Sequence, residues 1–459
     1  MDMDFNNSID DFVRDNEEAL FRDIARLVAV KSVQGEPEPG APFGPGPARA
    51  LALGLEIAEE LGLAARSCED MMGYAQLGEG EGDYLATVTH LDVVPAGEGW
   101  SGDPFVMRER DGYIIGRGVM DDKGPSVLCL YALKFLRQSG VKLRYPIRAL
   151  LGINEENGMA DLEHYLENYP APLFCFSPDA GFPLCNGEKG IFHCRLVSTS
   201  LPVNIIDING GLAVNAVPDR CEATVISGPL QSSPGVTAVK EDGLWRLTAV
   251  GVGGHASEPE HTVNAIGVMV DYLLENDVVK GDERAFIELL SRVHRTYDGS
   301  AVGIAADDGR FSPLTVVGGV IGVKDGSIFQ TVDCRYPTNT DAATIAARLR
   351  AEAGDAARLI EDRAVPPFYI SAETAAVRVC MDTYNLVTGE DARPFTMGGG
   401  TYARHFPNAV SFGPEHKDRA QPDFAGPIHG ADEAACKEYF TEALRIYILT
   451  LLELEKLDF

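Results

Sequence analysis

The sequence predicts a discontinuous α/β domain, built on a mostly parallel sheet flanked by helices, with an α+β domain inserted into it. Three observations support this prediction. Over residues 1–186, short apolar runs typical of buried strands alternate with helical patterns, as in α/β layer proteins. Over residues 187–370, strand patterns become more frequent. Over residues 371–459 helical patterns return, so 1–186 and 371–459 are predicted to form one discontinuous domain around the insert.

The elements of the first part are predicted from apolar periodicity and from capping and turn residues. An apolar stripe of helical period marks each helix, and alternating or continuous apolar residues mark each strand. The pair Asp111-Gly112 is typical of a tight hairpin turn. In chain order, the predictions are a helix at 8–30 capped by Ser8, a helix at 48–63, a strand at 84–91, a hairpin at 106–115, a helix at 124–139, and strands at 147–153 and 173–176.

The same rules apply to the insert and to the last part of the chain. The predicted strands of the insert lie at 191–197, 221–226, 244–250 and 327–335, and its predicted helices lie at 264–275 and 342–353. Two helices, at 372–387 and 431–454, are predicted to close the chain.

The composition excludes several classes of partner. The 459 residues include 39 basic and 69 acidic side chains, a formal net charge of −30 at pH 7, which repels nucleic acid and anionic membranes. No apolar run approaches the ~20 residues that span a bilayer, and the acidic first thirty residues do not resemble a signal peptide. Nine dispersed cysteines without a CxxC pair are typical of reduced core thiols. We therefore expect a cytoplasmic protein.

Two motifs of the first part place histidine or acidic residues near the end of a predicted strand. In the motif HLD at 90–92, His90 and Asp92 share one face of a strand, so that Asp92 could orient the imidazole for a metal. An isolated pair of this kind is more often a core histidine beside a turn. In GRGVMDDKG at 116–124, either Asp121 or Asp122 could bridge two cations, or both acids could simply begin a helix.

Three further motifs add acids and a histidine. In NEENG at 154–158, one of the adjacent Glu155 and Glu156 could bind a metal while the other takes a proton from water, and spacing does not tell which. Asp179 follows the strand at 173–176, and His429 precedes the last helix. Each is compatible with an exposed turn, but parallel strands gather ligands at their carboxyl ends. Together the histidines and acids suit two Zn²⁺, Mn²⁺ or Co²⁺ ions.

The order of the motifs carries a family resemblance. HLDVVPAG, GRGVMDDKG, NEENG, SPDAG, GGHAS and IHGADE follow one another as in the M20 family of co-catalytic metallopeptidases, which the chain resembles from about residue 15 to its end. Within that family it is most similar to the PepV-type Xaa-His dipeptidases. The resemblance implies a zinc-exopeptidase type of fold, a lid of two ferredoxin-like units, and two divalent ions per chain, Zn²⁺ in preference to Mn²⁺ or Co²⁺.

The resemblance also assigns roles in the catalytic domain. Asp92 is implied to orient His90, and Glu155 to be the general base on a water between the ions. Asp122 would lie either behind the ligands or at the surface. The five implied metal ligands are His90 and Asp179 for one ion, Glu156 and His429 for the other, and Asp121 as the bridge.

Further resemblances concern the substrate. His255 in GGHAS resembles the histidine that stabilises the oxyanion, and Asn215 resembles a substrate-contacting asparagine. Arg335 resembles the arginine that pairs with the substrate carboxylate, for which the backbone of Gly399 and Gly400 could form a nest. Without the other motifs, a turn with an exposed histidine would be the better explanation of His255 and a surface ion pair that of Arg335. A plain glycine turn would explain Gly399 and Gly400 equally well.

The resemblance implies that dipeptides are hydrolysed, either broadly or as Xaa-His and β-Ala dipeptides. The long insert would supply the oxyanion histidine in cis, so a monomer with a site complete in one chain is expected, with a small dipeptide as its partner. Two other functions stay open. One is deacylation of N-acyl amino acids at the same site, and the other, of a different class, is non-catalytic binding of metal or peptide.

Overall fold

The computed structural model describes residues 3–459, with side chains from residue 7 onward. Residues 1 and 2, which begin the predicted first domain, lie outside the described part. The chain divides into two compact units. Unit 1 runs to Asn186 and resumes over Tyr369–Phe395 and Gly400–Phe459, and unit 2 comprises Gly187–Phe368 and Thr396–Gly399. The main segment of unit 2 thus ends two residues before the predicted end of the insert at 370. Unit 2 also contains the short segment Thr396–Gly399.

The helices and strands follow in chain order. The part before unit 2 contains α1 (Met3–Val28), α2 (Pro45–Glu60), β1 (Ala64–Cys68), β2 (Met72–Leu77), β3 (Leu85–His90), β4 (Arg108–Arg110), β5 (Tyr113–Ile115), α3 (Lys123–Ser139), β6 (Ile147–Gly152), α4 (Ala160–Asn168), β7 (Phe174–Ser177), β8 (Ala180–Gly181) and β9 (Cys185–Glu188). Next come β10 (Gly190–Ser198), β11 (Ile205–Gly210), β12 (Ala216–Val217), β13 (Arg220–Val225), β14 (Val236–Glu241), β15 (Leu244–Val250), β16 (Gly254–His255), α5 (Ala265–Glu275), α6 (Gly281–Arg295), β17 (Thr315–Lys324), β18 (Ser327–Tyr336), α7 (Ala342–Ala353) and β19 (Ala357–Val365). The remainder contains β20 (Phe368–Tyr369), α8 (Ala375–Thr388), β21 (Phe395–Met397), β22 (Ala409–Ser411), β23 (Pro414–Glu415), β24 (Ala434–Cys436) and α9 (Lys437–Leu454).

The main sheet of unit 1 has the strand order β1-β2-β6-β3-β7-β22-β9-β20. The four central strands, β6, β3, β7 and β22, are parallel to one another. The pairings β1–β2, β2–β6 and β22–β9 on either side of them are antiparallel. The parallel part is therefore confined to the middle of the sheet, where β3, β6 and β7 are buried along their whole length. Helix α3 packs on β3 and β6 and also contacts α1 and α9.

Some predicted elements differ in extent from the observed ones. Helix α1 begins at Met3, so Ser8 lies inside the helix and the prediction that it caps the helix was wrong. The last helix begins at Lys437 instead of 431, because Ala434–Cys436 forms β24 and pairs with β5. The hairpin of β4 and β5 has its predicted turn, with Asp111 at φ 48° and Gly112 at φ 81°.

Unit 2 is built on one antiparallel sheet with the strand order β14-β15-β13-β11-β17-β18-β10-β19. The pairing of Gly210 with Ile321 joins β11 to β17 and makes the sheet continuous, and its division into two ferredoxin-like units stays a prediction. Helix α5 packs on β13 and β15, and α7 packs on β10 and β19. Within the described residues, no helix of either unit is long and apolar enough to cross a bilayer.

Candidate metal centre

The acids and histidines predicted at strand ends meet at the carboxyl edge of the parallel strands. β3 ends at His90, which pairs with Gly152 at the end of β6. Glu155 and Glu156 follow β6 in a 3-10 turn over Glu155–Asn157, and Asp179 lies two residues beyond the end of β7. Because parallel strands end at the same edge, residues distant in sequence come together there.

Asp121 lies between the two predicted histidine ligands. Its Oδ1 is 2.9 Å from His90 Nε2, and its Oδ2 is 2.9 Å from His429 Nε2. His90 Nε2 is also 3.8 Å from Asp179 Oδ2, and His429 Nε2 is 3.0 Å from Glu156 Oε1. One carboxylate therefore presents its two oxygens to two separate pairs, each of a histidine and a carboxylate, which is the arrangement that a bridging ligand needs.

The donor atoms are close enough together to share cations. Ligand atoms of His90, Asp121 and Glu156 lie within 4.8 Å of one another, and so do those of His90, Glu155 and Asp179. Imidazole nitrogens and carboxylate oxygens are suitable donors for Zn²⁺, Mn²⁺ and Co²⁺. The residues present therefore fit the pair of divalent ions that the sequence predicts, and Glu155 lies beside the ligands.

The electrostatics of the cluster favour added positive charge. Burial raises the pKa values of Asp179 and Glu155 well above their ordinary range, and neighbouring carboxylates add to the shift. Burial also raises the pKa of Glu156. For His429, burial would lower the pKa, but contacts with Asp121 and Glu156 raise it to about 11. Buried carboxylates of this number are stabilised when cations bind among them.

Asp92 connects His90 to the two adjacent glutamates. Its Oδ1 is 3.3 Å from Nδ1 of His90, and its carbonyl oxygen is 3.0 Å from the same nitrogen. The backbone N–H groups of Glu155 and Glu156 donate to the Asp92 carboxylate, each at 3.2 Å. Both Asp92 and His90 are buried. A single carboxylate thus contacts the imidazole and holds the turn that carries Glu155 and Glu156.

Two further aspartates support the same region. Asp122 is buried, and its Oδ2 accepts a hydrogen bond from the N–H of His90 at 3.2 Å, so the surface alternative for Asp122 was wrong. Asp161 accepts hydrogen bonds from the N–H groups of Ile153 and Asn154 and from the Tyr402 hydroxyl. Burial raises the pKa of Asp161 to about 6. Sequence reasoning missed Asp161, because an acid in the first turn of a helix is common without any site nearby.

A buried ion pair was also missed, although both partners lie inside the sequence motifs. Arg117 of GRGVMDDKG and Glu433 of IHGADE are fully buried, and Arg117 Nη1 is 2.6 Å from Glu433 Oε2. The one signal in the sequence was that Arg117 and Glu433 both lie within motifs that carry the proposed ligands. Nothing in the sequence showed that the two segments are in contact.

In unit 2, His255 and Asn215 lie on neighbouring segments. β16 pairs with β12 so that His255 is opposite Ala216, and the N–H of Ala256 donates to the carbonyl oxygen of Asn215 at 2.9 Å. His255 Nδ1 is 2.7 Å from the Ser257 hydroxyl oxygen. The two residues that the resemblance assigns to the substrate are therefore brought together within this unit.

Arg335 is held rigidly at the end of β18. Its Nε and Nη2 donate to the two carboxylate oxygens of Asp333 at 2.8 and 2.9 Å, and its Nη1 donates to the carbonyl oxygen of Gly398 at 3.0 Å. These contacts use three of the five N–H donors of a guanidinium group. Gly399 follows Gly398 in unit 2, whereas Gly400 is the first residue of the next segment of unit 1.

Comparison with known proteins gives a family and a fold. Residues 86–453 match the sequence profile of a family described as peptidase family M20/M25/M40. The β-Ala-Xaa dipeptidase of Lactobacillus delbrueckii subsp. lactis is 30% identical to this chain, over 96% of this chain and 97% of its own length.

Two solved structures are similar over nearly the whole chain. Human carnosine dipeptidase 1 has a TM-score of 0.62 at 14% identity and covers 98% of this chain and 99% of its own. The di-peptidase Dug1p of Saccharomyces cerevisiae has a TM-score of 0.59 at 14% identity and covers 99% of both chains. At this identity the likeness concerns the fold alone, and it confirms the predicted α/β class.

Proposed function

Since the chain belongs to peptidase family M20/M25/M40, we propose that it is a metal-dependent dipeptidase, which cleaves Xaa-His and β-Ala dipeptides or dipeptides more broadly. The observation that carries the proposal is Asp121, whose two oxygens face His90 and His429 at 2.9 Å each. The name of the Lactobacillus relative, a β-Ala-Xaa dipeptidase, supports the proposed substrate class.

The proposed metal ligands are those of the sequence prediction. His90 and Asp179 would hold one divalent ion, Glu156 and His429 the other, and Asp121 both. We propose Zn²⁺ as the bound metal, in preference to Mn²⁺ or Co²⁺. When bound, such ions lower the pKa of water and polarise a carbonyl group. Asp92 keeps the His90 ring oriented through its contact with Nδ1, which leaves Nε2 directed at the site.

Glu155 is the proposed general base. Its carboxylate lies within 4.8 Å of ligand atoms of His90 and Asp179, and its backbone N–H donates to Asp92. Burial raises the pKa of Glu155, and the neighbouring Asp179 carboxylate adds to the shift. We propose that it takes a proton from the attacking water and passes it to the leaving amine. A base of this kind contributes about 10²–10⁴-fold to the rate.

The proposed substrate contacts lie mainly in unit 2, which would act as a lid. His255 would stabilise the oxyanion, Asn215 would contact the substrate, and Arg335 would bind its carboxylate, with Gly399 and Gly400 as a backbone nest. A functional monomer is proposed, with the site complete in one chain, as the family resemblance implies. A cytoplasmic location is proposed as well, since all nine cysteines are free thiols and eight of them are buried.

A comparison of two histidine-releasing substrates tests the proposed function. β-Ala-His and N-acetyl-His release the same histidine, but only the acyl group of β-Ala-His carries a free amine. A site that recognises dipeptides is therefore expected to hydrolyse β-Ala-His faster than N-acetyl-His. With Zn²⁺, Mn²⁺ or Co²⁺ added, kcat/KM is expected to be at least about tenfold higher for β-Ala-His or Ala-Ala, which corresponds to one contact with a charged group. Faster deacetylation would identify an N-acyl-amino-acid deacylase. If none of these substrates is hydrolysed in a metal-dependent way, non-catalytic binding of metal or peptide becomes the better explanation.

Arg335→Lys is expected to raise the KM for Ala-Ala by roughly 10–150-fold with little change in kcat, because lysine cannot form the paired hydrogen bonds of a guanidinium. For Ala-Ala amide, which lacks the carboxylate, KM or the inhibition constant is expected to be the same in the wild type and in Arg335→Lys. Arg195→Lys is the matched control, since Arg195 forms a similar paired contact with Asp362. If the substitution weakens the binding of Ala-Ala and of its amide equally, then Arg335 has only a structural role.

A further inference from the structure

The buried pair of Arg117 and Glu433 has no role among the proposed ligands, base or substrate contacts. Both side chains are fully buried, and their closest atoms are 2.6 Å apart. A buried ion pair is weak evidence for stability, because removing two charges from water costs about as much as their attraction returns. The other contacts of the pair therefore indicate its role.

The Glu433 carboxylate holds the backbone that carries Asp121. It accepts hydrogen bonds from the N–H groups of Gly118, Met120 and Asp121, at distances between 2.9 and 3.2 Å. Its position follows from the small sheet, in which β24 pairs with β5 and brings the residue before β24 next to the turn after β5. Any displacement of Glu433 would therefore displace the turn that presents Asp121.

The Arg117 guanidinium holds the backbone that carries His429. Its Nη2 donates to the carbonyl oxygens of His429 and Gly430, both at 3.2 Å, and to that of Ala96 at 3.3 Å. The ring of Trp100 covers the guanidinium at 5.2 Å. His429 has a φ of 63°, in the left-handed region that residues other than glycine adopt uncommonly. Arg117 binds this peptide directly and so contributes to that conformation.

We infer that Arg117 and Glu433 are a positioning pair that fixes the separation of the Asp121 and His429 side chains and thereby sets the affinity for the ion on the His429 side. The inference rests on the proposed function. The other side has separate supports, because His90 ends a buried strand and is held by Asp92 and Asp122. Loss of the pair is therefore expected to weaken the ion on the His429 side more than the ion on the His90 side, which is affected only through Asp121.

The test is a titration of the metal-free 459-residue protein with Co²⁺, monitored by absorption and by calorimetry. The double variant Arg117→Met, Glu433→Gln removes both buried charges together and avoids an unpaired one. The second ion is expected to bind about 10–100-fold more weakly, as is typical when an outer partner of a ligand is lost, and the first ion is expected to be weakened less. Arg117→Lys alone, which keeps the positive charge beside Glu433 but lacks the Nη2 donor to the His429 and Gly430 carbonyl oxygens, is the second variant if the double variant does not fold.

Arg108→Met is the matched control. Arg108 forms an ion pair with Asp432, the neighbour of Glu433, at 2.7 Å, but it is partly exposed and does not contact the backbone of the proposed ligands. Both ions should bind to this variant as in the wild type. Unchanged binding of the second ion in the folded test variant, or equal weakening of both ions, would overturn the inference. A wild type that binds no ion would instead refute the proposed function, and the positioning role with it.

Discussion

Glu155→Gln is expected to lower kcat for β-Ala-His by about 10²–10⁴-fold, the usual contribution of a general base. Glutamine has nearly the same shape as glutamate but cannot accept the proton of the attacking water. The proposed metal ligands are unchanged in this variant, and Asp92 still accepts from the backbone N–H of residue 155. Two bound ions per chain, counted by elemental analysis, and an unchanged KM are therefore expected together with the loss of turnover.

The matched control for this variant is Glu163→Gln. Glu163 is an exposed glutamate in the first turn of α4, a few residues from the site, and the same substitution there should leave kcat unchanged. Retention of most activity in Glu155→Gln would remove Glu155 as the base. Loss of bound ions in the same proportion as activity would mean that Glu155 is a ligand, an outcome that its position beside His90 and Asp179 makes worth measuring.

Asp121→Asn is expected to reduce the bound ions from two to at most one per chain and to lower kcat/KM by at least about 10³-fold. The amide group of asparagine offers one oxygen in place of two, so it cannot face both His90 and His429. An ion at such a site stabilises the transition state by several kcal/mol, and about 4 kcal/mol corresponds to the stated loss. Elemental analysis and dipeptide kinetics on the same preparation measure both effects.

The neighbouring Asp122→Asn is the control for this change. Asp122 is equally buried, but it accepts a hydrogen bond from the His90 N–H through one oxygen, which an asparagine oxygen can replace. Two bound ions and activity within about tenfold of the wild type are expected for it. If the two variants lose ions and activity to the same extent, then Asp121 has no special bridging role.

The general class of the fold and the proposed metal site could be predicted from the sequence because both depend on local patterns. β6 and β7 lie in short apolar runs and β3 in an alternating segment rich in strand-forming residues, and the residues at the ends of such strands share one edge of a parallel sheet. The strand pattern alone therefore predicts His90, Glu155, Glu156 and Asp179 at one edge of the sheet. Telling Glu155 from Glu156 required the family resemblance, since adjacent acids have the same spacing from every other motif.

The features that could not be predicted depend on pairings between distant segments. The last helix was predicted to begin at 431 because no local residue marks Ala434–Cys436 as a strand, and those residues become one by pairing with β5. The same pairing creates the contact between Arg117 and Glu433. In unit 2, the single sheet depends on the pairing of Gly210 with Ile321, which no local pattern indicates.

The most direct measurement of the proposed two-ion dipeptidase is hydrolysis of β-Ala-His by metal-free protein during stepwise addition of Zn²⁺. Asp121 faces two separate pairs of a histidine and a carboxylate, so both ions are expected to be needed. Activity should be absent at the start, rise mainly with the second equivalent, and level off at two ions per chain. Activity without added metal, saturation at a single ion, or no dipeptide hydrolysis at any metal concentration would contradict the proposal.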